Sequence, residues 1–222
     1  MTTIQQKDCQ CSLCGTVNQC GVLTSTNNFG GLDTEFRTHA VGLDPLTVYV
    51  ATCSRCGYTA YDLAKALPPI VVPKVKETVA KFFASEKLDR ADVPTYKQYE
   101  LLACILKVKR NAPEDVAEAF LRAAWMADDD DQKLMARYYR KKAAELLEEQ
   151  LPTEQDESTQ AEQQFRLSEI YRRCGEFASA ISTQEKIVKD RLHPDLQRAM
   201  IKLRAVLEKK DDKIMKFADL LG

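Results

Sequence analysis

The sequence predicts an α+β fold that is mostly α: a small N-terminal β module followed by an array of helical hairpins. Three observations predict it. Two Cys-x-x-Cys-Gly knuckles, Cys11-Ser-Leu-Cys14-Gly15 and Cys53-Ser-Arg-Cys56-Gly57, lie within the first 57 residues of the 222-residue chain. A proline-rich run, Leu67-Pro-Pro-Ile-Val-Val-Pro73, then blocks helix and favours extended backbone. Beyond it, apolar residues recur at helical spacing to the end.

The elements follow in order. Residues 1–67 form the β module, in which residues 21–24 leave the first knuckle as a strand and residues 47–52 lead as a strand into the second. Between them, Ser25-Thr-Asn-Asn-Phe-Gly-Gly31 reads as loop. Residues 68–73 are a stiff connector and 74–222 the helical domain. Helices are expected over 74–86; over 94–110, with Tyr99, Leu102, Ala103 and Leu106 on one stripe; over 113–126; and over 133–150. Asp128–Asp131 reads as a solvated turn, because it lacks the ligand spacing of a calcium loop. Residues 151–160 read as an exposed linker. Helices then follow over 161–174, 178–189 and 195–208, with a short one over 213–221. Cys104 and Cys174 read as core thiols.

Two helical stretches align without a gap at an offset of 44 residues, placing Ala124 on Ser168, Ala127 on Tyr171 and Ala136 on Ala180. The second copy, Leu167-Ser168-x-x-Tyr171 with Gly175-x-Phe177-x-x-Ala180, resembles a tetratricopeptide repeat, so the array is expected to be tetratricopeptide-like.

The knuckles carry the clearest chemistry. Each places two thiolates around a tight turn that glycine accommodates. Together Cys11, Cys14, Cys53 and Cys56 make a closed four-sulfur set, the ligand set of one structural zinc in a zinc-ribbon-like module. A redox role is the competing reading, but a thioredoxin-like βαβ context is missing. Cys9, Cys20 and His39 are spare ligands, of which Cys9 or His39 could replace one thiolate. The default compartment is cytoplasmic and reducing, which argues for metal over disulfides. In the loop between the knuckles, Asn27, Asp33 and Arg37 form a candidate ligand site; the simpler alternative is that Asp33 and Arg37 pair with each other or with loop amides.

The remaining features narrow the function. Lys+Arg (32) nearly balance Asp+Glu (33), and residues 1–69 carry four basic against five acidic side chains, without the clustered positive charge that nucleic acid requires. No apolar run approaches the ~18 residues that span a bilayer, and the start of the chain lacks the pattern of a signal peptide. No nucleophile, phosphate-loop or catalytic-metal motif occurs.

One resemblance covers most of the chain. Its carriers are Ser25-Thr-Asn-Asn-Phe-Gly30-x-x-Asp33 with Arg37, Cys53-x-x-Cys56-Gly57-Tyr58, and Leu121-Arg122-x-Ala124-Trp125. The chain resembles an uncharacterised bacterial family that joins a two-knuckle domain to tetratricopeptide-like helices. The resemblance implies this architecture and no activity. Many members carry proline after the first cysteine of each knuckle, where Ser12 and Ser54 stand here.

The expected function is a non-enzymatic adaptor or scaffold that binds a partner peptide or helix on the helical surface. A nucleic-acid-associated ribbon protein and a ligand- or redox-responsive metal-site protein are the alternatives. Cys53→Ser is expected to unfold residues 1–67 and spare the helices.

Overall fold

The computed structural model describes residues 2–151 and 156–222. It is α+β and mostly α. Strands β1 (Thr3–Gln10) and β2 (Val17–Ser25) form an antiparallel hairpin around the first knuckle, and the two-residue strands β3 (Ala51–Thr52) and β4 (Thr59–Ala60) pair around the second. Seven longer helices and a final short one follow: α1 (Val72–Glu86), α2 (Thr95–Val108), α3 (Pro113–Asp129), α4 (Lys133–Gln150), α5 (Glu157–Cys174), α6 (Phe177–Glu185), α7 (Pro194–Glu208) and α8 (Phe217–Leu221). Among the described residues, no helix is long and apolar enough to cross a membrane.

Several expectations need correction. β1 replaces an unassigned segment: only Ile4 and Cys9 of its eight residues are even half-buried, so no period-2 pattern announces it. The strand expected over 47–52 shrinks to Ala51–Thr52, because Asp44 caps a 3-10 turn at Pro45–Thr47 instead. The connector 68–73 is a turn closed by Val71 N–H on the Pro68 carbonyl (3.0 Å), and Pro73 sits in the first turn of α1, where its missing N–H costs nothing. α5 begins at Glu157, capped by the Asp156 carboxylate on Thr159 N–H (2.7 Å), so helix takes the end of the expected 151–160 linker; residues 152–155 lie outside the described residues. α6 ends at Glu185, and only residues 217–221 of the expected last helix are helical.

α2 joins two cores because apolar residues surround it. Tyr99, Leu102, Ala103 and Leu106, the expected stripe, face α3 and α4 with Trp125 and Tyr139. Leu101 and Ile105 face the other way, onto the knuckles and α1, with Tyr58, Leu63, Val75 and Val79. A helix that is apolar on two sides must be covered on two sides. A third cluster, built on Phe165, Ile187, Met200 and Leu203, closes the C-terminal end.

The hairpin α3–α4 and the hairpin α5–α6 keep the 44-residue offset: Pro113 and Glu157 open their first helices, Lys133 and Phe177 their second. Gly175, in the left-handed region at φ 81°, ends α5 and turns the chain into α6.

The second knuckle docks on α1 through a missing side chain. A Cβ at Gly57 would overlap the Phe83 ring, whose Cδ2 lies 2.9 Å from it, whereas the nearest atom to a Cβ at Gly15 is Gln10 Nε2 at 3.9 Å. Both glycines have positive φ, 76° at Gly15 and 78° at Gly57. Alanine at either position should therefore cost about 1 kcal/mol in backbone strain, and Gly57→Ala a further ~1–3 kcal/mol from overpacking. Thermal melts of the two variants check this; equal losses would mean that the Gly57–Phe83 contact is not formed.

Candidate metal centre and the docked loop

Both knuckles are built alike. Cys11 N–H donates to the Thr16 carbonyl and Gly15 N–H to the Cys11 carbonyl; Cys53 N–H donates to the Tyr58 carbonyl and Gly57 N–H to the Cys53 carbonyl, each at 2.8 Å. These matching turns aim four sulfurs at one point. Cys11, Cys14, Cys53 and Cys56 have Sγ atoms all within 4.8 Å of one another, with Cys11–Cys56 at 3.7 Å and Cys14–Cys53 at 3.6 Å. A tetrahedron with metal–sulfur bonds of about 2.3 Å has sulfur–sulfur edges of about 3.8 Å. The donor set thus fits one four-coordinate metal ion and leaves no protein-free corner for a substrate.

Asn18, on β2, ties the knuckles together. Its side-chain amide donates to Cys53 Sγ (3.6 Å) and to the Thr16 carbonyl (3.0 Å), while its oxygen accepts from Ser54 N–H (3.0 Å) and the Ser54 hydroxyl (3.1 Å). Ser12 N–H likewise donates to the Leu63 carbonyl at 2.8 Å. Proline at position 12 or 54 would remove one of these donors. The thiols are not equivalent. Burial raises those of Cys11 and Cys56; burial also opposes ionisation of Cys14, but the Thr16 hydroxyl and amide outweigh it and hold that thiol at about 6.

The spare ligands lie elsewhere. Cys9 and Cys20 are joined to each other in a disulfide with Cα atoms 6.0 Å apart, which corrects the expectation that no disulfide forms. They occupy neighbouring diagonal positions on paired strands, within ordinary bridging distance. His39 Nε2 is hydrogen-bonded to Asp33 Oδ2 at 2.9 Å. Cys104 and Cys174 are half-buried, and burial lifts their thiols to about 11 and about 12.

The candidate loop site comes out differently from its ligand reading. Asn27 holds the loop by accepting from Val41 N–H (2.9 Å) and Phe29 N–H (3.2 Å). Asp33 accepts from the amides of Glu35 and Arg37, both at 2.9 Å, as the loop-amide reading expects. The Arg37 guanidinium, however, does not pair with the Asp33 carboxylate. It is buried against Asp44 (2.6 Å) and Asp129 (2.5 Å) and donates to the Trp125 carbonyl (3.4 Å). All three are spent on internal contacts.

Glu35, the residue between them, is the hub. It is 1% exposed, and its carboxylate accepts from Arg140 Nε (2.7 Å), Arg140 Nη2 (2.8 Å) and Trp125 Nε1 (3.1 Å). Its carbonyl accepts from Arg166 Nε at 3.0 Å. Asp128 pairs with Arg140 (2.6 Å) and with Arg173, so Asp128 and Asp129 lie inside α3 and serve this network; only the end of the acidic run is a turn. Phe36, at φ 67°, stacks on Phe165 and Phe217, each with centroids 5.9 Å away. The C-terminal segment closes over the loop: Thr34 N–H donates to the Met215 carbonyl, Phe217 N–H to the Leu32 carbonyl, and Lys216 Nζ to the Gly30 carbonyl (3.0, 3.0 and 2.8 Å). The sequence placed Glu35 in the loop, but only its burial against three arginines shows its role.

Burial would raise the Glu35 carboxyl, but Arg140 outweighs it and holds the group at about 2. A depressed carboxyl adds stability above its unfolded value of about 4.3, and this is lost as pH falls toward the folded value. Glu35→Gln should cost about 3–5 kcal/mol, because Arg140 stays buried without its counter-charge. It should also flatten the acid limb of the stability curve between about pH 4.5 and 2, which denaturant melts across pH would show. A wild-type-like acid limb in the variant would remove Glu35 as its cause.

Cys53 and Tyr58 share one core with α1 and α2, and the loop is bolted to α3, α4 and α5. Loss of metal in Cys53→Ser should therefore lower the melting temperature of the whole chain and expose α1 amides to hydrogen exchange. A helical transition that keeps its wild-type midpoint would show instead that residues 1–67 fold apart from the helices.

The family model described as "Uncharacterized protein conserved in bacteria (DUF2225)" matches residues 4–210. No curated protein and no solved structure matches the chain. With nearly its full length matched, two-knuckle module and helices alike, the chain belongs to this uncharacterised bacterial family.

Proposed function

We propose that the protein is a non-enzymatic adaptor, braced by one structural zinc, that holds a segment of a partner protein. One observation carries this reading: the helical hairpins α3–α4 and α5–α6 already hold an irregular peptide segment. Residues 33–37 of the chain lie against α3 and α5, with Phe36 on Phe165 and the Glu35 backbone on Arg166. Recognition of an irregular segment by backbone hydrogen bonds, an aromatic anchor and paired charges is the chemistry of peptide-binding surfaces. Because that face is filled by the chain itself, the partner engages a different surface.

Zinc is the metal that four thiolates in a closed tetrahedron select. Its role is to fix the knuckles against each other and against α1.

The test combines metal analysis with site-specific crosslinking. Protein purified without added metal should contain about one zinc per chain. A photo-crosslinking residue at the exposed positions Leu134, Tyr138 or Tyr61 should trap a discrete protein in living cells. Crosslinking no better than an uncoupled control at every position would sink the adaptor reading. Salt-dependent recovery of nucleic acid instead would favour the nucleic-acid alternative.

A further inference from the structure

The Cys9–Cys20 disulfide lies where it can act on the metal centre. It joins β1 to β2 across the base of the first knuckle, closing a loop with a sequence separation of 11. Everything the first knuckle contributes lies inside that loop. It holds the ligands Cys11 and Cys14, then Thr16, whose hydroxyl is 3.3 Å from Cys14 Sγ, and Asn18, which reaches Cys53 and Ser54. Neither Cys9 nor Cys20 belongs to the four-sulfur cluster, so the bond between them costs the metal no ligand.

The two knuckles are held unequally. The second is seated in a core, with Gly57 against Phe83 and Tyr58 only 1% exposed. The first rides on a two-stranded hairpin. Among the described residues, β1 and β2 pair only with each other, and Asn18 is the one buried residue in either strand. Such a hairpin is marginal in water by itself. Two clamps therefore order the same short loop: the metal, through Cys11 and Cys14, and the disulfide across its base. Each removes chain entropy that the other would otherwise have to remove, so the two are coupled, and by the same factor in both directions. Cys9 and Cys20 are half-buried at the edge of the knuckle core, partly open to solvent.

We propose that Cys9–Cys20 is a reversible redox staple that sets how tightly the first knuckle holds the metal. A small dithiol is the reductant. It gives up two hydrogens and closes to its own disulfide, while the Cys9–Cys20 bond breaks and each cysteine takes one hydrogen as a thiol. A low-molecular-weight disulfide reverses the step: it accepts the two hydrogens, leaves as two thiols, and the Cys9–Cys20 bond re-forms. The metal ion and its four thiolates keep their oxidation state throughout. What changes is the cost of ordering residues 11–18. Stapled, Cys11 and Cys14 are presented in place; open, the metal alone must order them. The proposal rests on the structural-metal reading and adds a control to it.

The test uses the full-length, zinc-loaded protein in two states. One is oxidised with glutathione disulfide; the other is reduced with dithiothreitol in the presence of zinc and desalted without oxygen. Alkylation after unfolding and chelation should leave Cys9 and Cys20 alone unlabelled in the oxidised state, and label all eight cysteines in the reduced state. In competition with a zinc-binding dye, the reduced protein should bind zinc about tenfold more weakly than the oxidised protein. Cys9→Ser/Cys20→Ser protein should match the reduced wild type whether or not it meets dithiothreitol. Amides of residues 11–18 should exchange faster in both than in the oxidised protein. Should the double variant fold poorly, chemically reduced wild type still carries the comparison.

Any of three results would overturn the proposal: equal zinc affinity in the two states, a disulfide that dithiothreitol leaves closed in the folded protein, or Cys9 and Cys20 still labelled after oxidation. Zinc bound equally well in both states sinks the staple alone and leaves the structural metal standing. Protein that takes up no zinc in either state sinks the metal reading, and the staple with it.

Discussion

A single buried carboxylate organises this protein. Glu35 reaches the interior from an irregular loop, and a charge there is tolerable only when it is fully paired. Its partners come from three helices: Trp125 on α3, Arg140 on α4, and Arg166 and Arg173 on α5. Arg140 is itself buried and needs Asp128 as well. No member of this set can be placed without the others, so the loop, the two hairpins and their relative positions form one cooperative unit. The energetic argument is asymmetric: the network adds little over a packed apolar core, but losing one member strands a charge.

The metal site plays the matching role at the other end. Four sulfurs fix two short hairpins whose hydrophobic content could not fold them alone. Asn18 carries that order from one knuckle to the other, and Gly57 carries it to α1 by letting Phe83 approach the turn. α2 then links the two ends, since Leu101 and Ile105 belong to the knuckle core while Leu102 and Leu106 belong to the hairpin core. Tyr99 adds a direct tie by donating its hydroxyl to the Leu46 carbonyl at 2.7 Å.

What could be read from the sequence follows from where the information is local. The knuckles are legible because the turn, the glycine and the ligands lie within five residues of one another. α2 and α3 are legible because their apolar period is long and regular. β1 is not, because Gln5, Gln6, Lys7 and Asp8 are exposed whichever way they point. Asp128 and Asp129 look like solvent-facing acids until Arg140 and Arg37 arrive, 12 residues away in one direction and 92 in the other. Glu35 is the extreme case: its 105-residue separation from Arg140 is invisible to any window. The family segment Leu121-Arg122-x-Ala124-Trp125 gains a physical meaning here. Arg122 reaches Tyr61 beyond the second knuckle at 3.3 Å, and Trp125 reaches Glu35 in the loop.

The arrangement also bears on where a partner can bind. A helical array whose inner face were open would present Trp125, Phe165 and Arg166 to solvent, but the chain covers them with its own loop and then with residues 215–217. Displacing that cover would strand Glu35 and Arg140, a cost that few peptide contacts could offset. The economical surface is one whose polar groups are unsatisfied in the free protein. A partner surface on the helices would therefore lie away from the positions that residues 33–37 and 215–217 cover.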